Sequence, residues 1–93
     1  MKKAKARHIL VSSAEKCEEL KKRITSGEDF AKVAKECSLC PSGRTGGDLG
    51  EFCQGDMVPE FDKVVFSAEI GKVHGPVKTD FGYHLIEVTK RVD

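Results

Sequence analysis

The sequence has no apolar run approaching the roughly 20 residues that a membrane-spanning helix needs. It has no marked excess of either charge. A formal net charge of +1 is too small to make nucleic acid or a membrane surface the main partner. The basic opening, Met1 to Arg7, is not followed by the apolar core of a signal peptide but by the short, strand-like His8-Ile9-Leu10-Val11. Cytoplasmic residence is therefore the expectation, with the lysines and Arg7 read as a solvated strand end. Repeats, low-complexity tracts and long linkers are absent too, so a single domain over 1–93 is expected. Such a short chain buries only about two-thirds of its unfolded surface, which leaves a narrow stability margin.

What is present is ordinary for a soluble globular domain: 39% hydrophobic and 33% charged residues. Three of the four cysteines (Cys17, Cys37, Cys40, Cys53) fall in or beside well-patterned segments, and reduced thiols are the expectation. Cys37-x-x-Cys40 closes a helical pattern instead of opening one, the wrong end of the dipole for an activated redox thiol. No second C-x-x-C or H-x₃-H completes a zinc site with it. No metal and no cofactor are expected.

Along the chain, Ala4, Ala6, His8 and Leu10 alternate with Lys5, Arg7, Ile9 and Val11, which predicts a strand with two usable faces. Ser12 to Glu15 has the form of a capping box. Cys17, Leu20 and Ile24 then form one helical stripe, which Gly27 stops. Phe30, Val33, Ala34 and Cys37 form the stripe of a second helix, with Glu28 and Asp29 at the positive end of its dipole. That helix must end before Pro41. Residues 41–47 read as a mobile loop without regular structure. A short strand over 48–53 follows, then a helix opened by Pro59 with Phe61, Val64, Val65 and Ala68 inward. Two strands around Asp80-Phe81-Gly82 close the chain, with Gly82, His84, Ile86 and Val88 on one face. The fold class is α+β: a four-stranded, mainly antiparallel sheet flanked by about four helices.

Three blocks resemble the signatures of the parvulin family of peptidyl-prolyl cis/trans isomerases, in its minimal single-domain prokaryotic form. They are His8-Ile9-Leu10-Val11; Gly46-Gly47-Asp48-Leu49-Gly50-Glu51-Phe52 with Gly55-x-Met57 and Phe61-x-x-x-x-Phe66; and Gly75-Pro76-Val77-Lys78-Thr79 with Phe81-Gly82-Tyr83-His84-Leu85-Ile86. They come in the right order and cover nearly the whole chain. The resemblance implies a parvulin-like fold and an isomerase acting as a monomer on Xaa-Pro bonds in peptides and in unfolded or nascent chains. It implies that His8 and His84 sit side by side on neighbouring strands, with Cys40 and Thr79 close by as the polar, catalytic half. Leu49, Met57 and Phe61 would hold the proline ring, with Phe81 among the substrate-binding residues.

Rotation about an amide breaks no covalent bond, so a non-covalent reaction is expected. Relatives that favour a phosphorylated residue before proline carry a basic cluster in a long loop after the first strand. Here only Ser12 and Ser13 separate Val11 from the first helix, and Arg44 is the one cation of note in the 41–47 segment. No strong phosphate preference is expected. The competing class is a parvulin fold that binds proline-containing or unfolded segments without turning them over. Retention of His8, Cys40, Leu49, Met57, Phe61, Thr79 and His84 favours the enzyme.

Overall fold

The computed structural model describes residues 2–92; Met1 and Asp93, the ends of the expected 1–93 domain, lie outside the described residues. The alternation at the start of the chain forms strand β1 (Lys3–Val11). It pairs antiparallel with β2 (Asp48–Cys53) on one side and β4 (Gly82–Val92) on the other, and β3 (Val73–Thr79) completes the sheet beyond β4. The order β2-β1-β4-β3 puts β1 and β4 in the middle, where both faces must be covered.

One face is sealed by two helices, α1 (Ala14–Thr25) and α2 (Phe30–Cys37). Ile9, Val11 and Leu85 from the sheet pack with Cys17, Leu20, Phe30, Val33 and Ala34. Arg7, paired with Glu87, lays its guanidinium 4.7 Å over the Phe30 ring, closing the edge of this core with a cation–π contact. The cap of α1 is Ser13, not Ser12: Ser13 has the extended backbone a cap requires, and its Oγ accepts from the Lys16 N–H at 3.2 Å. Lys16 stands where the reciprocal acid of a capping box would be, so the expected box over Ser12–Glu15 does not form. Asp29 caps α2 in the same way through Lys32 N–H, at 3.3 Å.

The opposite face meets a single short helix, α3 (Pro59–Val65). Ala4, Ala6, Ile86 and Val88 pack there against Phe52, Phe61 and Val65. The Arg91 guanidinium donates to the Val65 and Ala68 carbonyls, at 3.0 and 2.6 Å, and satisfies the exposed C-terminal end of α3. Seven residues make a helix of about 10 Å. That is too short to cover a face whose central strands run nine and eleven residues. The part that α3 reaches only through Phe61, around His8, Leu10 and His84, becomes the cleft.

Among the described residues there are three α-helices, and the fourth helical segment is a 3-10 turn at Pro41–Thr45, where the sequence predicts a loop without regular structure. Pro41 and the glycines forbid an α-helix and a strand, but a short 3-10 turn tolerates them. Pro41 stands in its first turn, where its missing N–H costs nothing. At its end Gly47, at φ +85°, brings its carbonyl to the His8 N–H at 2.9 Å. A side chain there would put its Cβ 2.3 Å from the His8 carbonyl oxygen, so this approach requires glycine.

Candidate active site

The cleft holds about 400 Å³, at the lower end of the range for small-ligand sites. Its floor is His8, Leu10 and His84 from the two central strands; Leu49, Met57, Val58 and Phe61 form one wall; Leu39, Cys40, Pro41 and Phe81 form the opposite lip. Met57 rides on the turn between β2 and α3. That turn is held by Asp56, whose carboxylate accepts from Cys53 N–H, and by Asp62, whose carboxylate accepts from Gly55 N–H, both at 2.9 Å. Phe61, in the first turn of α3, is 3% exposed. It meets His8, His84 and Phe52 edge-on, at centroid distances of 5.5, 5.7 and 6.5 Å.

The lip that carries Cys40 is strapped to the end of β1. Leu39 N–H donates to the Leu10 carbonyl at 2.8 Å, and the Ser38 hydroxyl oxygen accepts from Leu10 N–H at 3.1 Å and from Cys40 N–H at 3.3 Å. This fixes Cys40 relative to the strand that carries His8.

Behind the apolar wall runs a continuous polar chain. Because His8 faces Ile86 and Leu10 faces His84 across the β1–β4 ladder, the two histidines are diagonal neighbours on one face. Their rings stack at 5.2 Å with Nδ1 to Nδ1 at 3.0 Å. His8 Nε2 lies 3.0 Å from Ser42 Oγ, which is 3.3 Å from Cys40 Sγ. His84 Nε2 lies 2.7 Å from Thr79 Oγ1, and Phe81 N–H donates to that oxygen at 3.2 Å.

Assigning protons from these contacts, one arrangement gives every hydroxyl and ring N–H an acceptor. Thr79 donates to His84 Nε2, His84 Nδ1–H to His8 Nδ1, His8 Nε2–H to Ser42, and Ser42 to Cys40 Sγ. The reverse polarity points two donors at Thr79 and leaves its own hydroxyl proton without an acceptor in the chain. Both rings are neutral in this arrangement, as burial requires. Desolvation, then the neighbouring His84, pushes the His8 imidazole down from 6.5 to about 4, and burial lowers His84 as well. The cleft floor therefore carries no imidazolium at neutral pH.

Of the eight site residues expected from sequence, seven line the cleft: His8, Cys40, Leu49, Met57, Phe61, Phe81 and His84. Thr79 does not. It sits behind His84, with its Oγ1 2.7 Å from the far nitrogen, Nε2, of that ring. Cys37 packs against the α1–α2 core while Cys40 faces the cleft, so the C-x-x-C pair serves two different surroundings. Sequence reasoning missed Ser42, hidden in a stretch read as a loop, and the lining residues Leu10, Leu39, Pro41 and Val58. For Leu10 the signal was there: it shares the alternating face of His8.

Fold and cleft together define a small α+β domain that offers an apolar pocket beside a hydrogen-bonded chain of polar groups. A family model described as "Rotamase: PPIC-type PPIASE domain" matches residues 2–90. The sequence is 49% identical over 90 residues to "Foldase protein PrsA" of Geobacillus sp. (strain WCH70), which covers 96% of this chain and 33% of that protein. In structure it is similar to PrsA from Bacillus anthracis, with a TM-score of 0.95 and 40% identity over 99% of this chain and 43% of the other. It is also similar to NmPin, the parvulin of Nitrosopumilus maritimus, with a TM-score of 0.87 and 38% identity over 97% and 98% of the two chains. The chain spans about a third of the length of the curated relatives it matches. It belongs to the PPIC-type peptidyl-prolyl isomerase, or parvulin, family.

Proposed function

We propose that this chain catalyses cis/trans rotation about Xaa-Pro bonds in peptides and in unfolded or nascent proteins, without a covalent step and without a strong phosphate preference. The observation that carries this reading is the juxtaposition of the Leu49, Met57 and Phe61 pocket with the Cys40–Ser42–His8–His84 chain across one small cleft. Family membership supports it independently.

The chemistry needs little else. Amide resonance sets a barrier of about 18–20 kcal/mol, which makes uncatalysed Xaa-Pro exchange take tens to hundreds of seconds. The planar amide is more polar than the twisted one, so a largely apolar site with neutral imidazoles favours the twisted state over either ground state. Phe61 offers the ring a flat wall, and the unbranched Met57 adapts to both isomers. Cys40, held by Ser38 and Ser42, presents a polarisable sulfur to the rotating carbonyl. Each tenfold acceleration requires about 1.4 kcal/mol of preference for the twisted amide, within reach of such a pocket.

We further propose that the protein works in the cytoplasm as a monomer. Free thiols at Cys17, Cys37 and Cys40 suit a reducing compartment. Exchange NMR on short Xaa-Pro peptides, with and without the protein, is the direct test. Peptide binding with an unchanged exchange rate would replace the enzyme with a binding module, and a trapped adduct at Cys40 would overturn the non-covalent reaction.

A further inference from the structure

A second depression opens on the outer side of the cleft lip. It holds about 350 Å³, lies between the end of α2 and the 3-10 turn, and is edged by Lys35 and Arg44. Leu39, Cys40 and Pro41 line both this groove and the proline cleft, so one narrow ridge of chain separates the two. Among the described residues neither Lys35 nor Arg44 has an ion-pair partner. The acid next to Lys35 in sequence, Glu36, is directed instead to Arg23, at 3.6 Å. The C-terminal dipole of α2 offsets part of the Lys35 charge, while Arg44 has only a single 3-10 turn beneath it. The groove thus carries two cations without a carboxylate partner among the described residues, one ridge of chain away from the proline cleft.

We infer that this groove is a subsite for an acidic side chain of the substrate, at the residue before the proline or one residue earlier. The inference rests on the isomerase reading above. With the ring held by Leu49, Met57 and Phe61, the carbonyl that rotates belongs to the preceding residue and lies against Cys40. The substrate chain on that side passes over the Cys40–Pro41 ridge, advancing about 3.4 Å per extended residue, and its side chains reach the groove. A carboxylate there meets a guanidinium and an ammonium without displacing any protein carboxylate. The contact is remote from the rotating bond and strengthens both isomers and the twisted state alike, so it acts on KM and leaves kcat alone.

The test compares peptides that differ only by Glu or Gln at each of the two positions, using chemical-shift titration for binding and exchange NMR for turnover. At about 20 mM salt a Glu peptide is expected to bind about fivefold more tightly than its Gln twin at one of the two positions. Exposed pairs are weak and screened, so the ratio should fall below about twofold at roughly 0.5 M salt. The double substitution Lys35→Glu with Arg44→Glu should reverse the preference toward a Lys peptide. Equal binding of Glu and Gln at both positions, or a Glu preference that survives the charge reversal, overturns the subsite. A phosphoserine peptide bound more than tenfold more tightly than the Glu peptide assigns the groove to phosphate and overturns the carboxylate. Glu-selective binding without accelerated exchange sinks the isomerase reading and leaves the groove standing; accelerated exchange without Glu selectivity does the opposite.

Discussion

The two faces of the sheet are made by alternate residues of the same strands, yet they have opposite fates. On one, Ile9, Val11 and Leu85 are sealed under two helices into a dry core. On the other, Ala4, Ala6, Ile86 and Val88 are covered by α3, and the next residues along, His8 and His84, floor an open cleft. The difference lies in the length of the cover, not in the strands. A domain this small makes its site by leaving part of one face uncovered and buries its polar groups there in a closed hydrogen-bonded chain. The first face should therefore control stability with little effect on chemistry, and the second should link the two.

The largest expected effect breaks the sealed face. Leu20 is fully buried, and Leu20→Ala should cost about 2–5 kcal/mol in urea unfolding, as cavity-forming core substitutions do. Turnover per folded molecule should stay near wild type; a selective loss of turnover would show that the two faces are coupled.

The next effect sharpens the contrast through pH. An unfolded histidine takes up a proton near 6.5, whereas folded His8 resists until about 4. The unfolded state then binds more protons between these values, so stability is full above about pH 6.5 and declines as pH falls toward 4. The decline attributable to His8 is on the order of 3 kcal/mol, and His84, shifted in the same direction, adds to it. Urea melts from pH 7 to 4.5 should show this slope, and His8→Gln should flatten it. An unchanged slope in that variant would remove His8 from the account.

Met57 lies half-buried at the cleft wall. Met57→Ala should reduce exchange catalysis about tenfold, a transition-state loss near 1.4 kcal/mol, with a smaller effect on unfolding. A variant with full activity would mean the pocket is not where the ring binds. The smallest effect is expected from Ser42→Ala, which removes the link between His8 and Cys40. Activity should fall a few-fold, and the nitrogen NMR shifts of His8 should move as the ring loses its partner; unmoved shifts would show that the chain does not run through Ser42.

Much of this molecule was legible in its sequence. Helix stripes and strand patterns located every α-helix and strand among the described residues, and three ordered motifs with Cys40 pointed to seven of the residues that line the cleft. The misreadings are local and share a cause. Ser12 and Ser13 are chemically equivalent caps, and only the point at which β1 ends decides that Ser13 has the extended backbone and meets the Lys16 N–H. The 41–47 segment has a composition that excludes α and β structure, but composition does not exclude a 3-10 turn held by the close approach of Gly47 to His8. Once that segment is read as a loop, Ser42 has no reason to stand out.

The sequence by itself determined which residues alternate, which form stripes and where helices must stop, because these follow from the periods of the backbone and from the geometry of proline and glycine. Only the tertiary structure decided depth and adjacency. It put Thr79 behind His84, threaded Ser42 between His8 and Cys40, and brought Lys35 and Arg44 to the lining of one groove. Depth and adjacency depend on strand register and on the reach of a covering helix, which are set by contacts between residues far apart in the chain and leave no local periodicity to read.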